Sequence, residues 1–424
     1  MEVRIPYGQT AQVLNIKEPC QILESDIQNL AASPDENEAV LRAMKNPYGS
    51  KQLRELSVGK RQAVLIISDH TRPVPSKYIV PHMLAEMREG NPEIEITLLV
   101  ATGCHRGTTT DELEKKLGKA LVEKEHIVVH DCVESPHTNM GTLPSGAELI
   151  INSLVAEADL VVAEGFIEPH FFAGYSGGRK SILPGVCSRT TVLGNHCALF
   201  IDDPNSRMGI LEGNPINRDM EAAVVMAKLA YIVNVIINED KHIVAAFAGN
   251  PIEAHHAGCK YLEKYCVVEQ ETGGDIVITS NGGAPLDQNV YQAVKGITCA
   301  ESAAKEGAVI IMCAECADDI GGDVFYRALS ECKDVTTLLE DIRATSMNET
   351  VPDQWQYQIL ARIMEKHPVI FVTRPELKEA ITAMKMEYAP SLEEAFKRAK
   401  EMKGDDSSVT VIPNGISLVI RRKY

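Results

Sequence analysis

Four apolar runs in the chain end in clusters of polar and ionisable residues. The first closes on Ser68-Asp69-His70-Thr71-Arg72-Pro73 and the second on Thr102-Gly103-Cys104-His105-Arg106. A third closes on Glu164-Gly165-Phe166-Ile167-Glu168-Pro169-His170. A fourth runs into Asn281-Gly282-Gly283, then Pro285, Asp287-Gln288-Asn289, Tyr291-Gln292 and Lys295. Histidines exchange protons near neutral pH, and the planar fork of an arginine pairs with a carboxylate. Brought together, these residues make a pocket for a small acid. Taken singly, each has a plainer reading: His105 is a hydrogen-bonded loop residue, and Arg72, before a proline, is a solvated or salt-bridged cation. Their recurrence at separate run ends favours a site.

The densest segment is HFFAGYSGGRKSILPGV, residues 170–186. Gly174, Gly177 and Gly178 free the backbone for tight turns and close ligand approach. The pattern is not the GxxxxGK[ST] phosphate loop, and no GxGxxG follows a strand. Lys180 stands beside Arg179. A neighbouring cation and partial burial would both lower its pKa and free its amine as a nucleophile or attachment point; a surface Arg-Lys pair is the equal alternative. His82, His126, His130, His137, His255 and His256 read as structural or exposed. Cys313 and Cys316 form one CxxC with no second pair to complete a zinc site, so they read as small buried hydrophobes.

The elements that must position these clusters alternate between strand and helix. The runs at 63–69, 96–102, 127–131 and 159–165 are short, β-branched and bounded by polar, Gly or Pro residues, as buried parallel strands are. Helical periodicity fills the intervening stretches, which argues for βαβ units. Residues 231–238 and 242–249 read as a hairpin. A second α/β set begins at 275–280 and continues through 307–314, 367–373 and 409–415. The expected fold is therefore α/β, with two mostly parallel sheets. The boundary is expected near residue 270, giving domains 1–270 and 271–424, with a last strand pair that could return to either domain. Ligands of open α/β sheets sit beyond the carboxyl ends of the strands, which places the clusters in one interdomain cleft.

Composition limits the partners. The 424 residues are 45% hydrophobic and 24% charged, with a formal net charge of -17. That composition is globular, and so acidic a surface argues against nucleic acid or an anionic membrane. The first residues lack a signal-peptide pattern, and no apolar run approaches the roughly 20 residues that span a bilayer. The expected compartment is the cytoplasm, and 11 scattered cysteines fit reduced thiols there.

The segments SDHTRPVPS, ATGCHR, EGFIEPHFFAGYSGGRKSILPG, GNH, NGGAPLDQNVYQAVKG and PDQWQ resemble, in order and over nearly the whole chain, the nickel-pincer lactate racemase family. The resemblance implies two α/β domains with the active site between them. It implies a nickel-pincer pyridinium mononucleotide attached covalently at Lys180, with His196 as the nickel ligand and Asp69, Gly177 and Gly178 near the cofactor. His105 and His170 match the two catalytic bases. Arg72 would pair with the substrate carboxylate, Gln292 and Lys295 would orient the substrate, and Tyr291 and Trp355 would line the pocket; for Trp355 a packed core ring is an equal alternative. The partners implied are a small 2-hydroxy acid, lactate first, and cofactor-maturation proteins. The chain departs from a TGFHRP pattern, with Cys104 and Gly107 beside His105, which puts the substrate in doubt. A nicotinamide-dependent dehydrogenase would need a Gly-rich fingerprint that is absent. A non-catalytic anion-binding module would explain the basic residues but not the lysine and opposed histidines.

Overall fold

The computed structural model describes residues 1–423. Its first six-stranded sheet runs, edge to edge, through Ile243–Gly249, Leu229–Ile237, Leu160–Phe166, Gln62–Ser68, Glu95–Ala101 and His126–Val129. Neighbours are parallel throughout except for the hairpin Leu229–Ile237 with Ile243–Gly249. The four expected parallel strands lie within two residues of their predicted bounds. The reason is burial on both faces: Leu160–Phe166 is buried at every position, so its run is continuously apolar rather than alternating.

From Gln62–Ser68 the chain builds this sheet outward on one side, then returns to place Leu160–Phe166 on the other. The direction of winding therefore reverses between these two strands, and a crevice opens beyond their carboxyl ends.

The second sheet runs Glu387–Ala389, Val369–Val372, Ala304–Cys313, Gly274–Ser280, Val409–Ile412 and Cys20–Ile22, all parallel. Its edge strand comes from the start of the chain, so the expected division at residue 270 does not follow the sheets. The cause lies in the N-terminal hairpin of Glu2–Tyr7 and Thr10–Asn15. Its inward side chains, Val3, Ile5 and Leu14, pack with Ile276, Ile278, Val309 and Ile311 of the second sheet. The last strand pair separates: Val409–Ile412 enters the second sheet, whereas Val419–Arg422 pairs with Val267–Gln270 outside both.

The two halves are not independent. One apolar cluster takes Ile66, Val161 and Ile182 from the first and Val294, Leu360 and Phe371 from the second. The helix Gln354–Lys366 lies against the short helix Ala198–Asp202, where Gln358 Nε2 donates to Ala198 O at 2.9 Å and Arg343 Nε to Asp202 Oδ2 at 2.7 Å. In the helix Val290–Ala303, Asn289 caps the first turn by accepting from Gln292 N at 2.9 Å. Val290, Ala293, Val294 and Ile297 face the core, which leaves Gln292 and Lys295, three residues apart, on the more open face. Among the described residues no helix is long and apolar enough to cross a membrane.

Ile5 is fully buried under the second sheet. Ile5→Ala should therefore cost about 2–5 kcal/mol of stability, read as a lower urea midpoint, although Ile5 lies far in sequence from the strands at 274–280 and 304–313 that it packs against.

Candidate active site

The strand Glu95–Ala101 ends in a turn held to the glycine-rich segment, with Gly103 N donating to Gly185 O at 3.0 Å. The next residues bring His105 Nδ1 to 2.7 Å from Asp69 Oδ2. Asp69 is buried, and its other oxygen accepts from Thr71 N at 3.1 Å and Thr71 Oγ1 at 2.7 Å. Burial alone would push this carboxyl up. Hydrogen bonds and charge from His105, with Thr71 and Arg72, outweigh it and hold the pKa below the usual carboxylate range. An ionised carboxylate only accepts, so Nδ1 carries the hydrogen and Nε2 keeps the lone pair. That is a base held in one tautomer. Arg72 is exposed, donates to Thr71 Oγ1 at 3.2 Å, and has no ion-pair partner among the described residues, so its fork is open to an anion.

The segment after Phe166 turns on itself, Pro169–His170 pairing with Gly174–Tyr175, and then makes a single 3-10 turn over Gly178–Ser181. Gly178 has φ +52°, and a Cβ there would lie 2.6 Å from His255 Cγ. Its amide donates to Asn234 Oδ1 at 2.7 Å, so that group is committed within the protein. These glycines let the loop press against its neighbours. Arg179 is buried, not a surface cation: Nε donates to Asn217 Oδ1 at 2.6 Å, Nη2 to Ala173 O at 2.6 Å, and Nη1 lies 2.9 Å from His255 Nε2. Burial lowers even this guanidinium to about 10. His255 thus serves the loop, as a structural histidine.

With Arg179 turned into the protein, Lys180 points the other way. Its Nζ lies 3.1 Å from His170 Nε2 and 5.6 Å from the Phe172 ring centre. Ala173 N–H donates to His170 Nδ1 at 3.3 Å, so the ring hydrogen belongs on Nε2, and Nζ can accept it only as a free amine. The electrostatics agree. Burial, then Arg179 and Arg72, drive the Lys180 pKa well below the usual lysine value. Burial, then Lys180, Lys295 and Arg72, drive His170 well below the ordinary histidine.

His196 caps the helix Arg189–Asn195. Its Nδ1 donates to Val192 O at 3.0 Å, and Nε2 has no hydrogen-bond partner among the described residues. Burial, then Lys180, push its pKa down to about 3. A neutral imidazole with one nitrogen tied to a carbonyl and the other free is the form that ligates a metal. A row of rings joins it to the rest: His170 to Phe172 at 4.6 Å, Phe172 to His196 at 5.1 Å, and His196 to Trp355 at 5.0 Å. Among the described residues no three His, Cys, Asp or Glu side chains converge as a metal cage. A metal on His196 would need other donors from a bound group.

A cavity of about 160 Å³ at the crevice of the first sheet is lined by Asp69, Arg72, His105, Gly177, Gly178 and Lys180. The second half reaches the same region. Lys295 is held at about 8 by burial and then by Arg72, and its charge also bears on His170. Gln292 shares its helix face. Tyr291 commits its hydroxyl to Asp353 Oδ1 at 2.9 Å, and Trp355, half-buried, follows Asp353 on to His196. Sequence reasoning missed the supporting residues Asn217 and Asn234, and it placed Glu164 in a strand-end cluster without giving it a role. For Asn234 and Glu164 a signal existed: each is the one polar residue within an otherwise apolar stretch of strand, YIVNVII and LVVAEGF. Glu168 is half-buried, and burial raises its carboxyl against the pull of Lys295 and Arg72.

Two family models match the chain, the lactate racemase N-terminal domain over residues 7–209 and the lactate racemase C-terminal domain over 269–420. The chain is 49% identical over 424 residues to a lactate racemase of Thermoanaerobacterium thermosaccharolyticum, covering 99% of each protein. It is 47% identical over 387 residues to a lactate racemase of Lactiplantibacillus plantarum, covering 91% of each. The solved structure of the lactate racemase apoprotein from T. thermosaccharolyticum superimposes with a TM-score of 0.95 at 48% identity, over 99% of this chain and 100% of that one. A Thermotoga maritima protein shares the fold, with a TM-score of 0.61 at 20% identity over 88% of this chain and 98% of that one.

A lowered pKa leaves more free amine at neutral pH. Cyanate at pH 7 should carbamylate Lys180 ahead of the exposed lysines, as peptide mass mapping would show. Modification of surface lysines first would count against a free and reachable amine at Lys180.

Proposed function

The chain belongs to the lactate racemase family, and from that premise we propose that it interconverts the enantiomers of a small 2-hydroxy acid, lactate first, by moving the α-hydrogen as hydride to and from a nickel-pincer nucleotide tethered at Lys180. The observation that carries this reading is a free lysine amine 3.1 Å from His170, on the same buried ring row as an imidazole with an unused nitrogen.

The residues present fit such a group. Lys180 would hold the nucleotide, because a neutral amine can be acylated and an ammonium cannot. His196 would hold nickel through Nε2, its Nδ1 being fixed by Val192 O. The remaining donors would come from the pincer, since the protein provides no cage among the described residues, and soft donors in a planar set suit Ni(II). When bound, the group supplies an electron-poor acceptor for hydride.

The protein's own part is binding and proton transfer. The α-hydrogen of a hydroxy carboxylate is a poor acid, so a base alone meets a high barrier. Loss of hydride from the carbon and of the proton from the hydroxyl would give a planar 2-oxo acid, and return of hydride to the opposite face of that carbon, with a proton to its oxygen, would invert the centre. Arg72 and Lys295, one from each half, would hold the carboxylate. His105 would take the hydroxyl proton at Nε2, with Asp69 stabilising the imidazolium that forms. His170 would serve the other enantiomer: acylation of Lys180 removes the acceptor that now engages its Nε2–H, and transfer of the ring hydrogen to Nδ1, with release of the Ala173 N–H contact, would free the Nε2 lone pair for a substrate hydroxyl proton.

Protein made in a host that builds the cofactor should carry a covalent adduct on Lys180 and stoichiometric nickel, and should racemise lactate. Lys180→Arg should lose adduct and activity together, and an unmodified Lys180 in active protein would refute the tether. His105→Ala and His170→Ala should each keep the adduct and lower kcat by about 100-fold or more.

Lys295 adds a pH limit. Its ammonium is present below about 8 and is lost as pH rises, so kcat/KM, which reports the free enzyme, should fall above that value. Lys295→Met should raise KM and flatten that limb.

A further inference from the structure

Glu164 sits in the strand Leu160–Phe166 at the reversal point of the first sheet, and only 3% of it is exposed. One carboxylate oxygen is saturated: Oε1 accepts from Ser68 N at 2.8 Å, Ser68 Oγ at 2.8 Å and Ser76 Oγ at 3.1 Å. The other, Oε2, is buried and has no hydrogen-bond partner among the described residues. A cationic neighbour in the interior, Lys116, spends its Nζ on Arg72 O and Val74 O at 3.1 and 3.4 Å. A bare buried acceptor is costly, and native structures leave few of them.

The position of this oxygen limits what can satisfy it. Glu164 lines the cavity that also exposes Asp69, Arg72 and Lys180, and that cavity lies in the crevice where open α/β sheets bind ligands. An acceptor needs an O–H or N–H donor. A second carboxylate is excluded by repulsion from Glu164 and Asp69, and a metal cation is disfavoured by Arg72 on the same wall. A neutral hydroxyl meets neither objection. A mononucleotide attached at Lys180 would supply ribose hydroxyls as donors, and a carboxylate near the carboxyl end of a strand is the usual acceptor for a ribose hydroxyl in such crevices.

We propose that Glu164 Oε2 accepts a hydrogen bond from a ribose hydroxyl of the nucleotide, so that Glu164 is a positioning residue for the cofactor. The assignment rests on the reading that a pyridinium mononucleotide occupies the Lys180 site. Asp69, on the same wall, is already committed to His105 and Thr71, so the ribose contact falls to Glu164.

The test uses the full chain purified without cofactor, titrated calorimetrically with nicotinic acid mononucleotide and with its 2′-deoxy and 3′-deoxy forms. Removal of one hydroxyl should weaken binding to the wild-type protein about 10-fold or more, as loss of a hydrogen bond to a charged group does. Glu164→Gln keeps an acceptor for Ser68 and Ser76. It should weaken the parent nucleotide to a similar degree and bind the sensitive deoxy form as the wild type does, the non-additivity that marks a direct contact. Equal wild-type affinity for all three nucleotides would overturn the Glu164 assignment and leave the nucleotide reading standing. Absence of binding by any of them would overturn both. The wild-type comparison needs no variant to fold.

Discussion

The site depends on drawing three basic groups together out of bulk water. Lys180, His170 and His196 are all displaced toward their neutral forms, and burial is the largest cause for each. Lys180 also disfavours charge on both histidines, and His196 on His170. The 3-10 turn over Gly178–Ser181 makes this possible. It sends consecutive basic side chains in opposite directions, Arg179 into a clamp of Asn217, Ala173 and His255 and Lys180 toward the cavity. A side chain at residue 178 would collide with His255, and the amine would no longer be aimed at His170.

Fixed charges flank this cluster. Asp69 is ionised and fixes His105, Arg72 leaves its fork open, and Lys295 approaches from the opposite half. Basic groups shifted toward neutrality beside open cations suit a ligand that is anionic at one end. The division of labour between the halves follows from the fold: the first sheet provides the groups that touch the cavity, and the helices Val290–Ala303 and Gln354–Lys366 bring Lys295 and Trp355. The shared apolar cluster and the contacts of Gln358 and Arg343 hold Trp355 against His196.

Much of the fold was legible because parallel strands buried on both faces must be continuously apolar, and the runs at 63–69, 96–102 and 159–165 declare themselves. The exchange at the N-terminus was not legible. Val3 and Ile5 alternate with polar residues, and that pattern states that one face is covered without saying by which sheet. His105, Arg72 and Lys295 could be picked out as strand-end or helix-start residues. His196 could not, since a histidine at a helix end is ordinary; only the resemblance of the surrounding segments drew attention to it. Glu164 and Asn234 left a weaker trace, as polar residues set in apolar strands.

By itself the sequence determined the kinds of elements, their order, and the chemical groups waiting at the strand ends, because backbone periodicity and turn chemistry are local. Tertiary structure decided which of Arg179 and Lys180 is clamped within the protein and which faces the cavity, and that His196 keeps a nitrogen without a partner among the described residues. Those outcomes depend on desolvation and on neighbours such as Phe172, His255, Lys295 and Trp355. A protonation state belongs to the packed surroundings of a side chain, and residues so far apart in the chain become surroundings only when it folds.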